Sequence, residues 1–205
     1  MDKTLTFREY KKYIIEDYYA SQPIYSPKTN IWAAICKKIL THGLFRYIFI
    51  YRIGYFLYLR HSPFLFIFKI IHSIESHKYG IQLPITQPIG KGLRFMHYSC
   101  IVISAESIGD NCVIFQGVTI GHSFLGKEPG RPKIGDRVVI FAGAKVFGNI
   151  TIGNDVIIGA NCVVNRDVPN NCIVVGNPCR ILEKNPNYIP DDLRPHLFGC
   201  GLINR

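Results

Sequence analysis

The sequence is poor in acidic side chains and contains no closely spaced pair of cysteines. Its 205 residues include 24 Lys plus Arg but only 14 Asp plus Glu, which gives a formal net charge of +10. The seven cysteines are odd in number, and none of them form a Cys-x-x-Cys pair. This pattern argues against a zinc ribbon or a disulfide framework and predicts a reducing compartment, the cytoplasm. The N-terminus is polar and charged (MDKTLTFREYKKY), so no signal peptide is predicted.

The chain also lacks an uncharged apolar run long enough to cross a bilayer. The most apolar stretch, residues 44–74, is interrupted by Arg46, Arg52, Arg60 and Lys69, and a span needs about 18 apolar residues. We predict packed helices with basic outer faces here. Peripheral contact of this region with the inner face of a membrane stays open as the alternative. No nucleic-acid motif or dense Lys/Arg run is present, so nucleic acid is not predicted as a partner.

The composition changes near Gly80. Residues 1–80 hold 12 basic and 5 acidic side chains and 18 of the 26 aromatic residues, whereas 15 of the 18 glycines come later. Apolar residues at helical spacing and Ser-Pro helix starts predict four helices, at about residues 7–20, 26–41, 44–60 and 62–79. The predicted organisation is a helical N-terminal cap, a repeat domain and a C-terminal tail, at residues 1–80, 81–180 and 181–205.

The region after Gly80 repeats every six residues. Aliphatic residues or Phe occupy thirteen landmark positions at this spacing, and Cys112 and Cys162, four places after a landmark, are predicted to pack on the axis. Aliphatic landmarks every six residues are typical of a hexapeptide β-helix, in which three hexapeptides form one triangular coil. The predicted fold class is therefore mainly β, a parallel β-helix with an N-terminal α-helical cap. The landmarks are Leu83, Ile89, Phe95, Ile101, Ile108, Ile114, Ile120, Ile134, Ile140, Val146, Ile152, Ile158 and Val164.

Two interruptions break this repeat. One extra residue lies between Ile101 and Ile108, and an excess of eight residues lies between Ile120 and Ile134. In a regular solenoid an insertion must project as a loop, and such loops usually form the binding face. We therefore expect a projecting loop that begins near position 122.

Two histidines, His97 and His122, lie in the repeat region. His97 is two places after the landmark Phe95, which predicts an outward position at a coil edge. Gln116 has the equivalent position one coil later, so it should lie one rung from His97, and His122 should begin the projecting loop nearby. Spacing alone leaves His97 open as a solvated surface residue or as a catalytic base.

The segments GLRFMHYSCIVIS, CVIFQGVTIGH and VVGNPCRI, together with the loop length, carry a family resemblance. Over residues 80–183 the chain resembles the serine acetyltransferase branch of the hexapeptide acyltransferases. The resemblance implies a left-handed parallel β-helix, a homotrimer, and acetyl-CoA bound between neighbouring coils. His97 matches the catalytic histidine of that family. It would act as the general base of an acetyl-CoA-dependent O-acyltransferase by taking the proton of the attacking hydroxyl.

Departures from that family bear on the acceptor. Met96 stands where the family has Asp, and Arg131 stands where it has His before the loop's Pro-Lys; the helical region is also shorter. These differences favour a saccharide hydroxyl, in cell-surface or capsular polysaccharide biosynthesis, over the alternative, L-serine in cysteine biosynthesis. Gln116 would orient the acceptor or the catalytic ring. His122 and Arg131 would shape the acceptor pocket. Arg131 would bind a carboxylate or phosphate in a bidentate manner; the alternative is that it is an ordinary solvated residue.

Two groups of residues are predicted to hold acetyl-CoA. Small residues at coil edges would let the pantetheine arm approach the backbone. Tight corners alone would also explain these residues. They are Ala142, Gly143, Gly159 and Ala160. Basic residues would contact the phosphates: Lys145, Arg180 and Lys184. No metal is predicted, because a histidine site of the carbonic-anhydrase type needs three histidines. A non-catalytic trimeric scaffold is the remaining alternative.

Overall fold

The computed structural model describes residues 6–22, 30–123 and 129–183. Four helices come first, namely α1 (Phe7–Ala20), α2 (Ile31–Thr41), α3 (Gly43–Leu59) and α4 (Leu65–Tyr79). Within the described ranges, none of these helices is long and apolar enough to cross a membrane. The strands that follow are β1 (Ile81–Gln82), β2 (Arg94–Phe95), β3 (Ile101–Ile103), β4 (Ser107–Ile108), β5 (Val113–Ile114), β6 (Thr119–Gly121), β7 (Lys133–Ile134), β8 (Val139–Ile140), β9 (Lys145–Phe147), β10 (Thr151–Ile152), β11 (Ile157–Ile158), β12 (Val163–Val164), β13 (Cys172–Val175) and β14 (Arg180–Glu183).

The strands form the three faces of a prism. A five-stranded sheet has the order β1-β3-β6-β9-β12, a three-stranded sheet β10-β7-β4, and a six-stranded sheet β14-β13-β11-β8-β5-β2. Strand pairs along the coils are parallel, as in β5–β8 and β8–β11, whereas β14 runs antiparallel to β13. The chain visits the three faces in turn, so each circuit adds one coil. This is the three-sided β-helix that the six-residue period predicts.

The axis of the prism is filled by the landmark residues. All thirteen are at most 4% exposed, and Cys112 and Cys162 are fully buried beside them. Burial raises the pKa of the Cys112 thiol to about 12, so this sulfur packs as an apolar group and is not a nucleophile. The predicted axial positions are confirmed.

One edge of the prism is held by a ladder of side-chain oxygens. Each oxygen accepts a hydrogen bond of 2.7–3.0 Å from a backbone N–H one coil earlier, and the acceptors are Asp110, Asp136, Asn154 and Asn170. A Cβ at Gly109 would lie 2.3 Å from Asp136 Oδ1 and 2.6 Å from the Gly135 backbone. Glycine follows the landmark at this edge because successive coils touch there.

The corner between β2 and β3 is longer than the repeat predicts. Ile103, not the landmark Ile101, pairs with Ile120, while Phe95 pairs with Ile114 as predicted. Eight residues therefore lead from one inward position to the next here, against six one coil later. The extra length lies before Ile101, not after it as predicted. The six-residue count misplaces the extra length because Ile101 and Ile103 are two apart on one strand and therefore share a face.

Two helices begin later than the Ser-Pro pairs predict. The structure begins α2 at Ile31, where Asn30 caps it by accepting a hydrogen bond from the Ala33 N–H at 3.1 Å. The predicted cap of this helix, Ser26, lies outside the described residues. The fourth helix begins at Leu65 because Ser62 forms a turn, in which its carbonyl accepts the Leu65 N–H at 3.1 Å.

A buried ion pair fastens the helical cap to the first coil. Asp17 of α1 and Arg52 of α3 are both buried, with Arg52 Nε 2.7 Å from Asp17 Oδ2. Arg52 Nη1 donates to the Ile89 carbonyl at 2.7 Å, and the Leu93 N–H donates to Asp17 Oδ1 at 2.9 Å. Backbone groups of the coil thus complete the hydrogen bonding of both charges, which a buried pair requires.

His72 makes the stability of the fold depend on pH. Its ring is buried on α4 beside Tyr47, Nε2 has no hydrogen-bond partner among the described residues, and burial lowers its pKa to about 4. An unfolded histidine titrates near ~6.5, so between these values the unfolded state binds the extra proton. We expect the free energy of unfolding to fall by roughly 3 kcal/mol as the pH drops from about 7 to about 4.

The measurement is urea unfolding of the wild type and of His72→Phe across this pH range. The variant keeps a ring against Tyr47 but cannot take up a proton, so its stability should fall less. Identical pH dependence in both proteins would contradict the assignment to His72.

Candidate active site

Most predicted site residues lie along one edge of the prism. At this edge, named here the site edge, the chain passes from the six-stranded to the five-stranded sheet in each coil. Arg180 also reaches it, because it pairs with Val175 on the last coil. In order of coils, the predicted residues here are His97, Gln116, Ala142 with Gly143, Gly159 with Ala160, and Arg180.

His97 is exposed and lies at the end of a column of aromatic rings. Its ring centroid is 6.2 Å from that of Phe115, which stacks on Phe141 at 4.8 Å. The two phenylalanines occupy equivalent positions, each directly after a landmark, on successive coils. Sequence reasoning missed them, although an aromatic residue repeated after Ile114 and Ile140 was the available signal. The column gives the exposed imidazole an apolar neighbour on one side and leaves it open to solvent.

The cap helix α4 holds the backbone of this corner. The Ser99 N–H donates to the Tyr79 carbonyl at 2.9 Å, and the Ile101 N–H donates to the Gly80 carbonyl at 3.1 Å. Ser99 and Cys100 adopt φ values of 94° and 54°, which side-chain-bearing residues rarely do. The lengthened, left-handed corner that displays His97 is therefore supported by the C-terminal end of α4.

Gln116 lies one coil above His97, as predicted. Phe95 pairs with Ile114, so the residues that follow them lie at the same edge on adjacent coils. The side-chain oxygen Oε1 of Gln116 is buried and has no hydrogen-bond partner among the described residues. An acceptor left without a partner costs about 1–3 kcal/mol, so we expect a bound molecule to supply a donor there.

The small residues of later coils fit two explanations. A Cβ at Gly143 would lie 2.0 Å from Asn161 Oδ1, and the backbone has φ = +73°, so the tight corner alone requires glycine there. Ala160 is exposed and Ala142 is half-buried. The result is a shallow, small-residue surface beside the aromatic column.

The predicted phosphate contacts are placed differently. Arg180 is exposed at the start of β14. The ammonium group of Lys145 donates to the Gly117 carbonyl at 2.6 Å and to Thr119 Oγ1 at 3.1 Å, so it joins two coils on the five-stranded face. Lys184 lies outside the described residues.

His122 and Arg131 lie at a second edge, between the five-stranded and three-stranded sheets, named here the loop edge. Ser123 and Gly130 form a bridge that closes the base of the loop at 3.2 Å. Arg131 is exposed and lines a cavity of about 260 Å³ with Glu106. The five-stranded face separates both residues from His97, so the expected proximity does not occur within one chain. In the described ranges no three His, Cys, Asp or Glu side chains form a metal site.

Basic groups surround the position of Met96. Its side chain lines a cavity of about 70 Å³ under the cap with His42 and Arg94. Burial, with repulsion from Arg94, lowers the pKa of nearby Lys38 to about 8, and burial also lowers the pKa of His42. Arg94 and Lys38 thus bring basic groups near Met96, whereas the lowered pKa of His42 keeps its ring neutral at pH 7.

Residues 131–166 match the bacterial transferase hexapeptide family (six repeats). A serine acetyltransferase of Bacillus pumilus is 38% identical over 158 residues, which cover 76% of this chain and 71% of that protein. A serine acetyltransferase of Synechococcus elongatus is 37% identical over 150 residues, which cover 72% of this chain. The match spans 60% of the Synechococcus protein, less than two thirds of its length.

Solved structures give the same comparison. The serine acetyltransferase of Neisseria gonorrhoeae in complex with serine superimposes with a TM-score of 0.68 at 29% identity, covering 86% of this chain and 70% of that one. The serine acetyltransferase of Brucella abortus in complex with coenzyme A superimposes with a TM-score of 0.68 at 27% identity, covering 87% and 68%.

The predicted saccharide acceptor, and with it polysaccharide biosynthesis, is wrong, because these similar proteins are serine acetyltransferases. The prediction relied on one missing carboxylate, at Met96, and one missing imidazole, at Arg131. In the structure Met96 lies near Arg94, and Arg131 lies beside the acidic Glu106.

The predicted left-handed parallel β-helix with a helical cap is confirmed by the family match and the structural neighbours. The prediction of an acetyl-CoA-dependent O-acyltransferase is confirmed at the level of the family. The chain belongs to the serine acetyltransferase family of hexapeptide-repeat acyltransferases.

Proposed function

We propose that this protein transfers the acetyl group of acetyl-CoA to the hydroxyl of L-serine. The observation that carries the proposal is the site edge, where an exposed imidazole, an aromatic column and small-residue corners follow one another over successive coils. Similar proteins have been solved in complex with serine and with coenzyme A, which supports both substrates. The proposed compartment remains the cytoplasm.

In the proposed reaction, His97 takes the proton of the serine hydroxyl as its oxygen attacks the thioester carbonyl. The carbon–sulfur bond then breaks, and the departing sulfur of coenzyme A takes that proton from the imidazolium. Acetyl transfer is balanced in this way without a covalent enzyme intermediate. A general base supplies roughly 10²–10⁴-fold in rate. Gln116, with its buried acceptor oxygen, would orient the amino group of serine or the ring of His97.

We further propose that the protein acts as a homotrimer. His97 and Gln116 lie on the site edge, whereas His122 and Arg131 lie on the loop edge, and both edges border the five-stranded face. In a ring of three prisms with this face toward the symmetry axis, the site edge of one copy meets the loop edge of the next. That arrangement would give the exposed Arg131 access to the carboxylate of serine, which a guanidinium binds in a bidentate manner.

Acetyl-CoA would lie along the later coils of the site edge. Ala142, Gly143, Gly159 and Ala160 leave room for the pantetheine arm, and Arg180 and Lys184 would meet the phosphates. Lys145 would need to leave Gly117 and Thr119 to do so. We retain the division into a cap, a β-helix and a tail, at 1–80, 81–180 and 181–205, as a proposal about domains.

The test is coenzyme A release from acetyl-CoA, measured with a thiol reagent. L-Serine should give release that depends on its concentration, while L-alanine, which lacks only the hydroxyl, should give none above the background. No release with L-serine from protein that binds coenzyme A would overturn the proposed acceptor.

A further inference from the structure

The helix α4 has a mixed inner face and an apolar outer face. The inner face packs on α3 and on β1 and buries His72. The other carries a row of large apolar side chains that are 37–68% exposed, named here the α4 stripe: Phe66, Ile67, Ile70, Ile71 and Ile74. A large exposed apolar patch normally marks a surface that meets a partner, and the stripe has none within the described part of this chain.

The surface around the stripe is positively charged. Residues 43–80 contain five basic side chains and one acidic side chain. The acidic residue, Glu75, is paired with Arg46 at 3.3 Å on the inner side. Lys69 and Lys78 are exposed on the same helix as the stripe. An apolar row between cationic side chains needs a partner that is apolar and anionic together.

An anionic phospholipid surface meets both requirements. A second copy docked stripe to stripe would bring two positively charged surfaces together, and like charges oppose that contact. None of the described helices is long and apolar enough to span a membrane. We propose that α4 lies in the plane of an anionic membrane, with the α4 stripe among the acyl chains and the lysines at the headgroups.

This docking goes beyond acetyl transfer and does not depend on it. It has a structural consequence for the same site, however. The carbonyls of Tyr79 and Gly80, at the end of α4, hold the backbone of the corner that displays His97. A protein docked through the α4 stripe would therefore carry the site edge close to the lipid surface.

The experiment is sedimentation of the protein with sucrose-loaded vesicles. Vesicles of phosphatidylcholine with roughly 30% phosphatidylglycerol, which carry a negative surface potential, should bind the wild type. Vesicles of phosphatidylcholine alone should bind it at least about tenfold less, as should the anionic vesicles in 0.5 M salt, where charges are screened. Ile70→Glu/Ile74→Glu should lower binding to anionic vesicles by at least about tenfold, because it places two carboxylates in the contact.

Leu182→Glu is the matched control. Leu182 is 49% exposed on β14, at the far end of the prism, against 47% for Ile70. It should bind vesicles as the wild type does. Circular dichroism and thermal unfolding verify that each variant is folded.

Three outcomes would overturn the proposal. One is a wild type that ignores anionic vesicles, and another is equal binding by the double variant. The third is a concentration-dependent doubling of the mass of the assembly that the double variant abolishes, which would assign the stripe to a second copy. None of these outcomes affects the thiol-release test, so the two proposals fail separately.

Discussion

His97→Ala is expected to lower the turnover of acetyl-CoA with L-serine at least about 100-fold, the lower end of what a general base supplies. The hydroxyl keeps its proton at neutral pH, so the attack needs a base at the site edge. Coenzyme A affinity should stay at the wild-type value, because the small-residue corners and Arg180 lie on later coils than His97. Thiol release measures turnover, and calorimetric titration with coenzyme A measures binding.

His77→Ala provides the matched control for that experiment. His77 is also exposed, but it lies on α4 and its Nδ1 contacts the Ser73 carbonyl of the same helix. It should retain full turnover. If His97→Ala turned over at a rate near that of His77→Ala, the proposed base would be wrong even if serine proved to be the acceptor.

Asp17→Asn is expected to lower the free energy of unfolding by about 3–5 kcal/mol, the cost of leaving one member of a buried ion pair without its partner. Arg52 would keep its charge in a site from which water is excluded. Its remaining contacts, to the Ile89 and Gly90 carbonyls, cannot neutralise it. Denaturant unfolding at pH 7 measures the loss. We expect the cap to separate from the first coil before the β-helix unfolds, because these contacts join the two parts.

Removing both charges should be less harmful than removing one. Asp17→Leu/Arg52→Met eliminates the uncompensated charge, and apolar replacements of buried pairs are often tolerated. Recovery should be partial, because the Leu93 N–H would lose its acceptor, Asp17. Glu106→Gln serves as the control, since its pairing with Lys133 at 3.3 Å is exposed and should be worth no more than about 1 kcal/mol. Equal losses in Asp17→Asn and Glu106→Gln would contradict the anchoring role.

The repeating part of the fold could be predicted from the sequence because its signal is local. Every landmark points inward because of the same six-residue repeat, so one rule predicts all thirteen positions. The register of His97 with Gln116 follows from counting back to Phe95 and Ile114, and the structure bears it out. The aromatic column follows the same register, because Phe115 and Phe141 each come directly after a landmark.

What depends on non-local contacts could not be predicted in this way. The length of the corner at His97 was misplaced because Ile101 and Ile103 both point inward, and only pairing with Ile120 distinguishes them. The ion pair joins Asp17 and Arg52, which are distant in sequence and whose burial depends on how the cap sits on the coil. The prediction of the acceptor was wrong because it relied on Met96 and Arg131 alone. The side chains around these two residues come from other elements.

The sequence by itself determined the period, the axial residues and the edge on which the imidazole stands, because a solenoid repeats local rules. Only the tertiary structure decided that His122 and Arg131 lie across the five-stranded face from that imidazole, and that α4 leaves an apolar row outward. The physical reason is that position along a chain determines which way a side chain points, while the faces that meet depend on how separate elements pack.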